Sequence, residues 1–318
     1  MKKPALLFTL LAALPFLNSC SKSCYDEDIV TQTYVHKYGV ELDAQDWESR
    51  GQHGQVYSTL ANGVTVCTNY EAGVLDGDCT YTFPHSDILQ RVETYSQGTM
   101  VREVLNNTAG IIQQETRYES PSDKVMTTWY DNGSPRSIEN FQGDNLVKGQ
   151  YFNPQNKLES TVENGNGERI VRDTYGHMVS KDVIANGELF QRTTFFPNGA
   201  IQAVTPFSKG AVQGVRKTYL PSGEPATAEQ WINGQQTGIT QIYQNGEKIA
   251  EVPYVAGLKD GIERRYKNGQ TVVQEISWKK DQLHGPYNTY VEGNIKVDWY
   301  FKGRLVNKPT YEQMIKGV

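Results

Sequence analysis

The chain has 318 residues and a formal net charge of −5, a length that allows one to three ordinary domains. It contains 29 Gly, only 13 Pro and 11% aromatic residues, a composition that argues against disorder and is typical of many short strands joined by tight turns. No block of basic residues is present, so we expect no binding of nucleic acid through neutralisation of its phosphates.

Residues 1–19 have the pattern of an export signal. Two lysines precede an apolar run that is too short to span a bilayer as a mature helix. The run ends in LNSC (17–20), which resembles the lipobox of bacterial lipoproteins, although Asn18 departs from its usual smaller residue. The resemblance implies that the signal is cut before Cys20 and that this thiol is lipidated, since two or three acyl chains make a durable anchor. The alternative is an ordinary secretory signal in which Cys20 is incidental.

The residues that follow Cys20 predict where the mature protein resides. In the lipoproteins it resembles, an Asp directly after the cysteine retains the protein at the inner membrane, so Ser21 implies the outer membrane of a bacterial cell envelope. The lipid bilayer is then a partner through the N-terminal anchor. Residues 20–32 are short, polar and acidic, which predicts a tether that lifts the folded part off the lipid surface, with a first edge strand as the alternative.

Residues 33–308 repeat a unit of about 23 residues, each built around a turn glycine or its equivalent. The residue before the glycine is often Asn, and Asn-Gly between two strands predicts a tight type I′ turn, because both central residues then need positive φ. The turn position recurs at Gly39, Gly63, near Ser86, Gly110, Gly133, near Asn156, Gly176, Gly199, Gly223, Gly246, Gly269 and Gly293.

Two further marks complete the unit. An aromatic residue such as Trp47, Trp231 or Tyr254 follows the turn glycine by eight positions, and a second glycine marks the junction between units. Each unit therefore reads as strand, tight turn, longer strand, looser turn, with no room for a helix. Connections this short permit only antiparallel neighbours. The sequence predicts an all-β fold, an elongated twisted antiparallel sheet of about twelve tandem β-hairpin repeats.

Three units carry a recognisable motif: GITQIYQNG (238–246), GIERRYKNG (261–269) and GPYNTYVEG (285–293). They resemble the MORN repeat, in the variant found in bacterial proteins. The resemblance covers roughly 33–306 and implies β-hairpins packed into an elongated twisted sheet. Bacterial proteins with such repeats are often labelled as the antitoxin component of toxin–antitoxin systems, but an exported lipid anchor argues against a cytoplasmic antitoxin.

Two features fall outside the repeat pattern. Residues 309–318 predict either a short helix that caps the last strand or a frayed tail. Cys67 and Cys79 flank a turn centred near residue 74 and could face each other across an antiparallel pair. An exported protein permits a disulfide, so these two residues form a possible bridge, with two buried thiols as the alternative. Cys24 is left over in either case.

The sequence contains no pattern that indicates catalysis, a metal or a cofactor. It has no P-loop, no G-x-S-x-G and no Ser/His/Asp set, and its carboxylates do not stand out from a solvated face. The five histidines are not at ligand spacing; His53 and His284 both precede junction glycines, which predicts a structural role in turns. We therefore expect no enzyme, no catalytic or metal-binding residue and no cofactor.

The function that the sequence favours is that of a non-enzymatic, lipid-anchored envelope protein whose β-repeat surface binds or scaffolds a protein partner. The reason is the long repeated surface rich in Tyr and Trp, residue types that anchor protein interfaces. The alternative is a lipoprotein that binds cell-wall glycan or acts as an envelope spacer, because the same aromatic rings can stack on sugars.

Overall fold

The computed structural model describes residues 29–317. The predicted signal, Cys20, Cys24 and the first part of the predicted tether lie outside these residues. Within residues 29–317, no helix is long and apolar enough to cross a membrane.

Over the described residues the chain forms 29 strands and two short helices, α1 (Ala44–Ser49) and α2 (Lys308–Lys316). The first strands are β1 (Ile29–His36), β2 (Glu41–Leu42), β3 (Gly54–Leu60), β4 (Thr65–Glu71), β5 (Val74–Leu75), β6 (Gly77–Thr82), β7 (Leu89–Ser96), β8 (Thr99–Asn106), β9 (Ile112–Tyr118), β10 (Asp123–Trp129), β11 (Pro135–Gln142), β12 (Asn145–Phe152), β13 (Leu158–Glu163), β14 (Asn166–Arg172) and β15 (Met178–Ala185). The remaining strands are β16 (Glu188–Phe195), β17 (Ile201–Ser208), β18 (Ala211–Val212), β19 (Gly214–Tyr219), β20 (Pro225–Ile232), β21 (Gln235–Gln236), β22 (Gly238–Gln244), β23 (Glu247–Val255), β24 (Leu258–Lys259), β25 (Gly261–Lys267), β26 (Thr271–Lys279), β27 (Gln282–Val291), β28 (Asn294–Phe301) and β29 (Arg304–Val306).

All strands belong to one long antiparallel sheet in which each long strand pairs with the next along the chain. Short strands such as β18 and β21 lie inside turns, and the long strands pair directly across them, as in β17–β19 and β20–β22. The pairings found over residues 29–317 do not join β1 to β29, so the sheet is open. The predicted all-β sheet of tandem hairpins is confirmed.

Two positions that repeat in the sequence, the aromatic residue and the junction glycine, pair with each other across adjacent strands. In six units an aromatic residue near the end of the longer strand lies directly opposite the junction glycine of its partner strand. A glycine has no side chain, which leaves space beside its backbone for the large side chain opposite. The pairs are Gly54–Tyr70, Gly77–Tyr95, Gly214–Trp231, Gly238–Tyr254, Gly261–Trp278 and Gly285–Tyr300.

The turns that carry the repeated glycine are of two kinds. At Gly246, Gly269 and Gly293 the preceding residue also has positive φ, as the predicted type I′ turn requires. At most earlier positions only the glycine has positive φ, and its N–H donates to the carbonyl three residues back, a type I turn ended by a left-handed glycine. The type I′ prediction is wrong for the Asn-Gly turns at Gly63, Gly133 and Gly199, and the turns at Gly110 and Gly223 share their geometry.

The asparagine of these type I turns joins adjacent units. Asn198 Oδ1 accepts the N–H of Ala200, and its Nδ2 donates to the carbonyl of Pro221 in the next unit, both at 3.1 Å. Asn132 repeats the arrangement with Pro154 at 3.0 Å. The side chain thus stabilises its own turn and ties it to the following one, which is a physical reason for type I geometry where the dipeptide alone predicts type I′.

The opposite edge of the sheet, predicted to have looser turns, contains two-residue type I′ turns instead. Both central residues have positive φ, as at Asn233 and Gly234. The turn glycine also donates its N–H to a carbonyl of the preceding unit, from Gly234 to Val212 at 2.9 Å and from Gly257 to Gln236 at 2.8 Å. Each unit is therefore bonded to its neighbour at its turn as well as along its strands.

The two ends of the array differ from the prediction. Residues 29–32, assigned to the tether, belong to β1, so the sheet begins at Ile29. Helix α1 occupies a place where a strand was expected: Asp43 caps it by accepting the N–H of Asp46 at 2.7 Å. Trp47 on this helix is buried, with its ring 5.6 Å from that of Tyr34. The expectation that no unit contains a helix is wrong here, because the large indole closes the end of the core.

The C-terminal segment forms the helix α2 rather than a frayed tail. Asn307 Oδ1 accepts the N–H of Thr310 at 2.9 Å, and Pro309 lies in the first turn, where its missing N–H costs nothing. Tyr311 packs its ring 5.0 Å from that of Trp299 on β28. The helix therefore lies over one face of the last long hairpin.

Cys67 and Cys79 are both free thiols, so the possible disulfide is not formed in the structure. The register pairs Cys67 with Thr80, which puts these two side chains on one face of the sheet and Cys79 on the other. Cys79 is 1% exposed, and burial raises the pKa of its thiol to about 11. The prediction placed the cysteines opposite each other; a register offset of one residue is enough to separate them.

The inter-unit bond of Asn198 can be measured. Asn198→Ala removes two side-chain hydrogen bonds, so we expect it to lower the local free energy of unfolding by about 1–2 kcal/mol. Amide hydrogen exchange of β16, β17 and β19 reports this value. Ser222→Ala, at the same turn position of the next unit, is the matched control with a smaller effect. Equal losses in the two variants would contradict the role given to Asn198.

Candidate interaction surface

The pairings define two continuous faces of the sheet, because residues directly opposite in an antiparallel register point to the same side. We call one the acid face; it carries Glu93, Glu139, Asp182, Glu229 and Glu263. We call the other the aliphatic face; it carries Val215, Ile239 and Ile262. The two faces differ in how many of their side chains are paired or packed against other side chains of the sheet.

Asp182 is the centre of the acid face. Its side chain is 0% exposed and accepts hydrogen bonds from Arg169 Nη2 at 2.7 Å and from Arg192 Nε at 2.8 Å. Burial by itself raises the pKa of this carboxyl, but the hydrogen bonds from Arg192 and Arg169 outweigh it and hold the pKa below its ordinary value. Asp182 is therefore charged and fully paired.

The same arrangement recurs further along the acid face. Glu229 accepts a hydrogen bond from Trp231 Nε1 at 3.0 Å and pairs with Arg216 at 2.9 Å. Glu263 accepts a hydrogen bond from Trp278 Nε1 at 2.9 Å and pairs with Arg265 at 2.8 Å. The indoles opposite the junction glycines thus donate to the buried carboxylates.

Sequence reasoning missed these buried acids, which it assigned to a solvated face. A usable signal was present: an acid stands two residues before the repeated aromatic, as in Glu93–Tyr95, Glu139–Phe141 and Glu229–Trp231. In a strand, residues two apart share a face, so the acid lies beside the repeated aromatic ring. The acid face is a polar core in which these carboxylates already have their partners.

The aliphatic face is different, because a row of its apolar side chains is open to solvent. Val215, Ile239 and Ile262 each directly follow a junction glycine, and their exposed fractions are 48%, 44% and 46%. They stand on β19, β22 and β25, which alternate with the long strands β20 and β23. At ~4.8 Å per strand, the three form a row about 20 Å long. We call it the aliphatic row.

Tyrosines accompany the aliphatic row on the same face. Tyr243, Tyr266 and Tyr290 are partly exposed and repeat once per unit. Their hydroxyls are all satisfied within the sheet: Tyr266 donates to Glu251 at 2.7 Å, and Tyr290 donates to Glu275 at 2.8 Å. The hydrogen bonds fix the rings in place, so the surface presents rigid apolar area at little cost in side-chain entropy.

In the last unit the equivalent position is covered by the chain itself. Pro286 follows the junction glycine there and pairs with Trp299, on which Tyr311 of α2 packs. The row is thus open over three units and closed by a helix over the fourth.

The predicted site residues are distributed along the edges. The turn glycines Gly199, Gly223, Gly246, Gly269 and Gly293 lie along one edge of the sheet, each with positive φ. The histidines have the turn role expected of them: His53 Nδ1 accepts the N–H of Ala72 at 3.1 Å, and His284 Nδ1 accepts that of Lys302 at 3.4 Å. Across residues 29–317 no group of three His, Cys, Asp or Glu residues could hold a metal ion.

Comparisons with known proteins do not place this chain in a family. No family model and no curated protein matches it. Among solved structures it is similar to the TarM G117R mutant of S. aureus in complex with fondaparinux, alpha-GlcNAc-glycerol and UDP, at 15% identity and a TM-score of 0.20 over 39% of this chain and 21% of that one. It is also similar to BamB from Moraxella catarrhalis, at 8% identity and a TM-score of 0.15 over 79% and 82%. The chain spans about a fifth of the TarM chain, and similarity at these TM-scores carries no functional argument.

The buried charge of Asp182 gives a test of the acid face. Asp182→Asn keeps the shape of the side chain but leaves Arg192 without its countercharge and Arg169 with only Glu139, 3.7 Å away, so we expect a local loss of about 3 kcal/mol. Hydrogen exchange of β14, β15 and β16 measures it. Glu168→Gln, which breaks the exposed pair with Lys181, should cost under about 1 kcal/mol. If Asp182→Asn also cost under about 1 kcal/mol, the pairs of the acid face would not hold the strands together.

Proposed function

We propose that this protein is a non-enzymatic, lipid-anchored protein of the bacterial cell envelope whose aliphatic face binds a protein partner. The observation that supports this proposal is the aliphatic row: three branched apolar residues, each more than two-fifths exposed, repeated in register on a rigid sheet. Apolar patches with a polar surround are typical of sites for protein interaction.

The size and order of the surface suit such a role. A standard interface covers about 800 Å² on each partner, and the aliphatic row with its flanking tyrosines, about 20 Å long and about 14 Å wide, would form the apolar centre of one. Tyrosine is among the residues enriched at the energetic centre of protein interfaces. The buried carboxylates of the acid face, in contrast, are already paired, so we place the partner on the aliphatic face.

The anchor is proposed from the sequence around Cys20. The lipobox-like LNSC (17–20) supports lipidation there, and the likeness of the units to MORN repeats agrees with a role in binding rather than catalysis. Eight residues separate Cys20 from Ile29, where the sheet begins. Fully extended, they reach at most about 30 Å, so the N-terminal end of the sheet would be held near the bilayer surface.

A second function, binding of cell-wall glycan, is favoured by one observation. The partly exposed rings of Tyr243, Tyr266 and Tyr290 form a regular row on which sugar rings could stack. The same surface would be used, so the two functions differ in the ligand captured and not in the residues involved.

The aliphatic row is tested with a photo-crosslinking residue at Val215 in living cells. We expect a defined protein adduct that falls at least tenfold in the double variant Ile239→Lys, Ile262→Lys, because burying two charges at an interface core is unfavourable. Val74→Lys, at a turn residue that is 43% exposed, is the matched control and should leave the adduct intact. An adduct that both variants leave unchanged would contradict the protein-binding proposal. If the protein binds purified cell-wall sacculi and only the double variant loses this binding, the result would favour glycan binding instead.

The anchor is tested by labelling cells with an alkyne analogue of palmitate. We expect the protein to be labelled, and Cys20→Ser to abolish both the label and membrane association, since lipidation through this thiol is the proposed anchor. Cys24→Ser is the matched control and should keep both. A label that persists in Cys20→Ser would show that the lipobox resemblance misassigns the site.

A further inference from the structure

A cavity lies at the C-terminal end of the sheet, between the last long strands and α2. It has a volume of about 390 Å³ and is lined by Lys279, Lys280 and Lys302, with His284, Phe301 and Ile315. We call it the lysine pocket. Its volume is in the lower part of the range of small-molecule sites.

The charges of the lysine pocket are not balanced from within the protein. None of its three lysines has a carboxylate within 4.0 Å among the ion pairs of residues 29–317, whereas Lys259 and Lys296 nearby pair with Glu263 and Asp298. The ammonium of Lys302 lies 5.4 Å from the ring centre of Phe301. Three cations thus surround an opening whose floor is apolar.

The pKa of His284 reflects the same excess of positive charge. Its burial, together with the positive charges of Lys279 and Lys302, lowers the pKa of the imidazole. Because Nδ1 accepts the N–H of Lys302, the neutral ring carries its proton on Nε2 and can donate a hydrogen bond. The pocket therefore offers one neutral donor beside three positive charges.

The first unit contains the same structural position with its charge balanced. Its His53 likewise accepts a turn N–H, but Nδ1 also lies 3.1 Å from the carboxylate of Glu71, which in turn is 3.6 Å from Lys37. The turns correspond: Gly73 donates its N–H to the carbonyl directly before His53, as Gly303 does to the one before His284.

This correspondence identifies what the last unit lacks. Counting back from the two turn glycines, Phe301 stands where the first unit has Glu71. The structure thus contains one copy of the site with an internal carboxylate and one copy with an apolar ring and additional lysines. The second copy has the charge to accept an anion from outside the protein.

We propose that the lysine pocket binds an organic anion, a carboxylate or phosphate carried on a short apolar group. The anion lies between the lysines and the Nε2–H of His284 and supplies the negative charge that Glu71 supplies in the first unit. The apolar group lies against Phe301 and Ile315. Binding of this kind is independent of the proposed protein partner, since it uses different residues beyond the end of the aliphatic row.

The test is isothermal titration of the purified full chain with hexanoate and with hexyl phosphate. We expect one site for at least one of them, at least tenfold tighter than for acetate or inorganic phosphate, because each buried methylene adds to affinity. Comparison of the two hexyl ligands shows whether the pocket prefers carboxylate or phosphate. Hexanol, which has the apolar group without the charge, should bind at least tenfold more weakly than the preferred anion.

Two variants locate the site. The double variant Lys279→Gln, Lys302→Gln should weaken binding at least tenfold, while Lys296→Gln, a lysine of β28 that is paired with Asp298, should not change it. Phe301→Glu restores the internal carboxylate of the first unit and should also abolish binding. The proposal is overturned if neither hexyl ligand binds, if acetate binds as tightly as hexanoate, or if the double lysine variant binds as the parent does.

Discussion

The structure depends on pairing every charge that its single sheet buries. A sheet without a second layer has little apolar volume in which to form a core, and this chain fills the acid face with aromatic rings opposite glycines and with carboxylates between them. Asp182, held by two arginines, is the clearest example. Unpaired, such a charge would cost several kcal/mol; paired, it also fixes the register, because a slip of one residue would move it to the opposite face.

This constraint gives the two faces of the sheet different properties. The polar groups of the acid face pair with one another. Aromatic residues of the repeat stand opposite the junction glycines on this face, and some of them also donate hydrogen bonds to its carboxylates. The aliphatic face is left with side chains that the fold does not require to be buried. What the sheet exposes there, a regular series of Val and Ile beside anchored tyrosines, is consequently free to serve binding.

Much of the architecture was predictable from the spacing of glycines and aromatics, because hairpins of constant length impose a constant period. The finer features depend on register, which composition does not reveal. One residue of offset separated Cys67 from Cys79, and the side-chain bonds of Asn198 selected a turn type that its dipeptide does not favour. The aliphatic row was not anticipated, since an exposed Val or Ile resembles a core residue until the faces are assigned. The lysine pocket requires two segments, the last hairpins and α2, that only the folded chain brings together.

The turn-to-turn hydrogen bonds have a mechanical consequence for an array held at one end, as the proposed anchor would hold it. The hydrogen bonds between strands run along the long direction of the array. A force that pulls the N-terminal and C-terminal ends apart therefore loads the bonds of one strand pair at a time. It does not shear many strand pairs at once. Each unit is tied to the next through the same few bonds at its turn, such as Gly257 to Gln236. Under tension the array would therefore lengthen in steps of one repeat, and give way at low force from an end while the remaining units keep their shape.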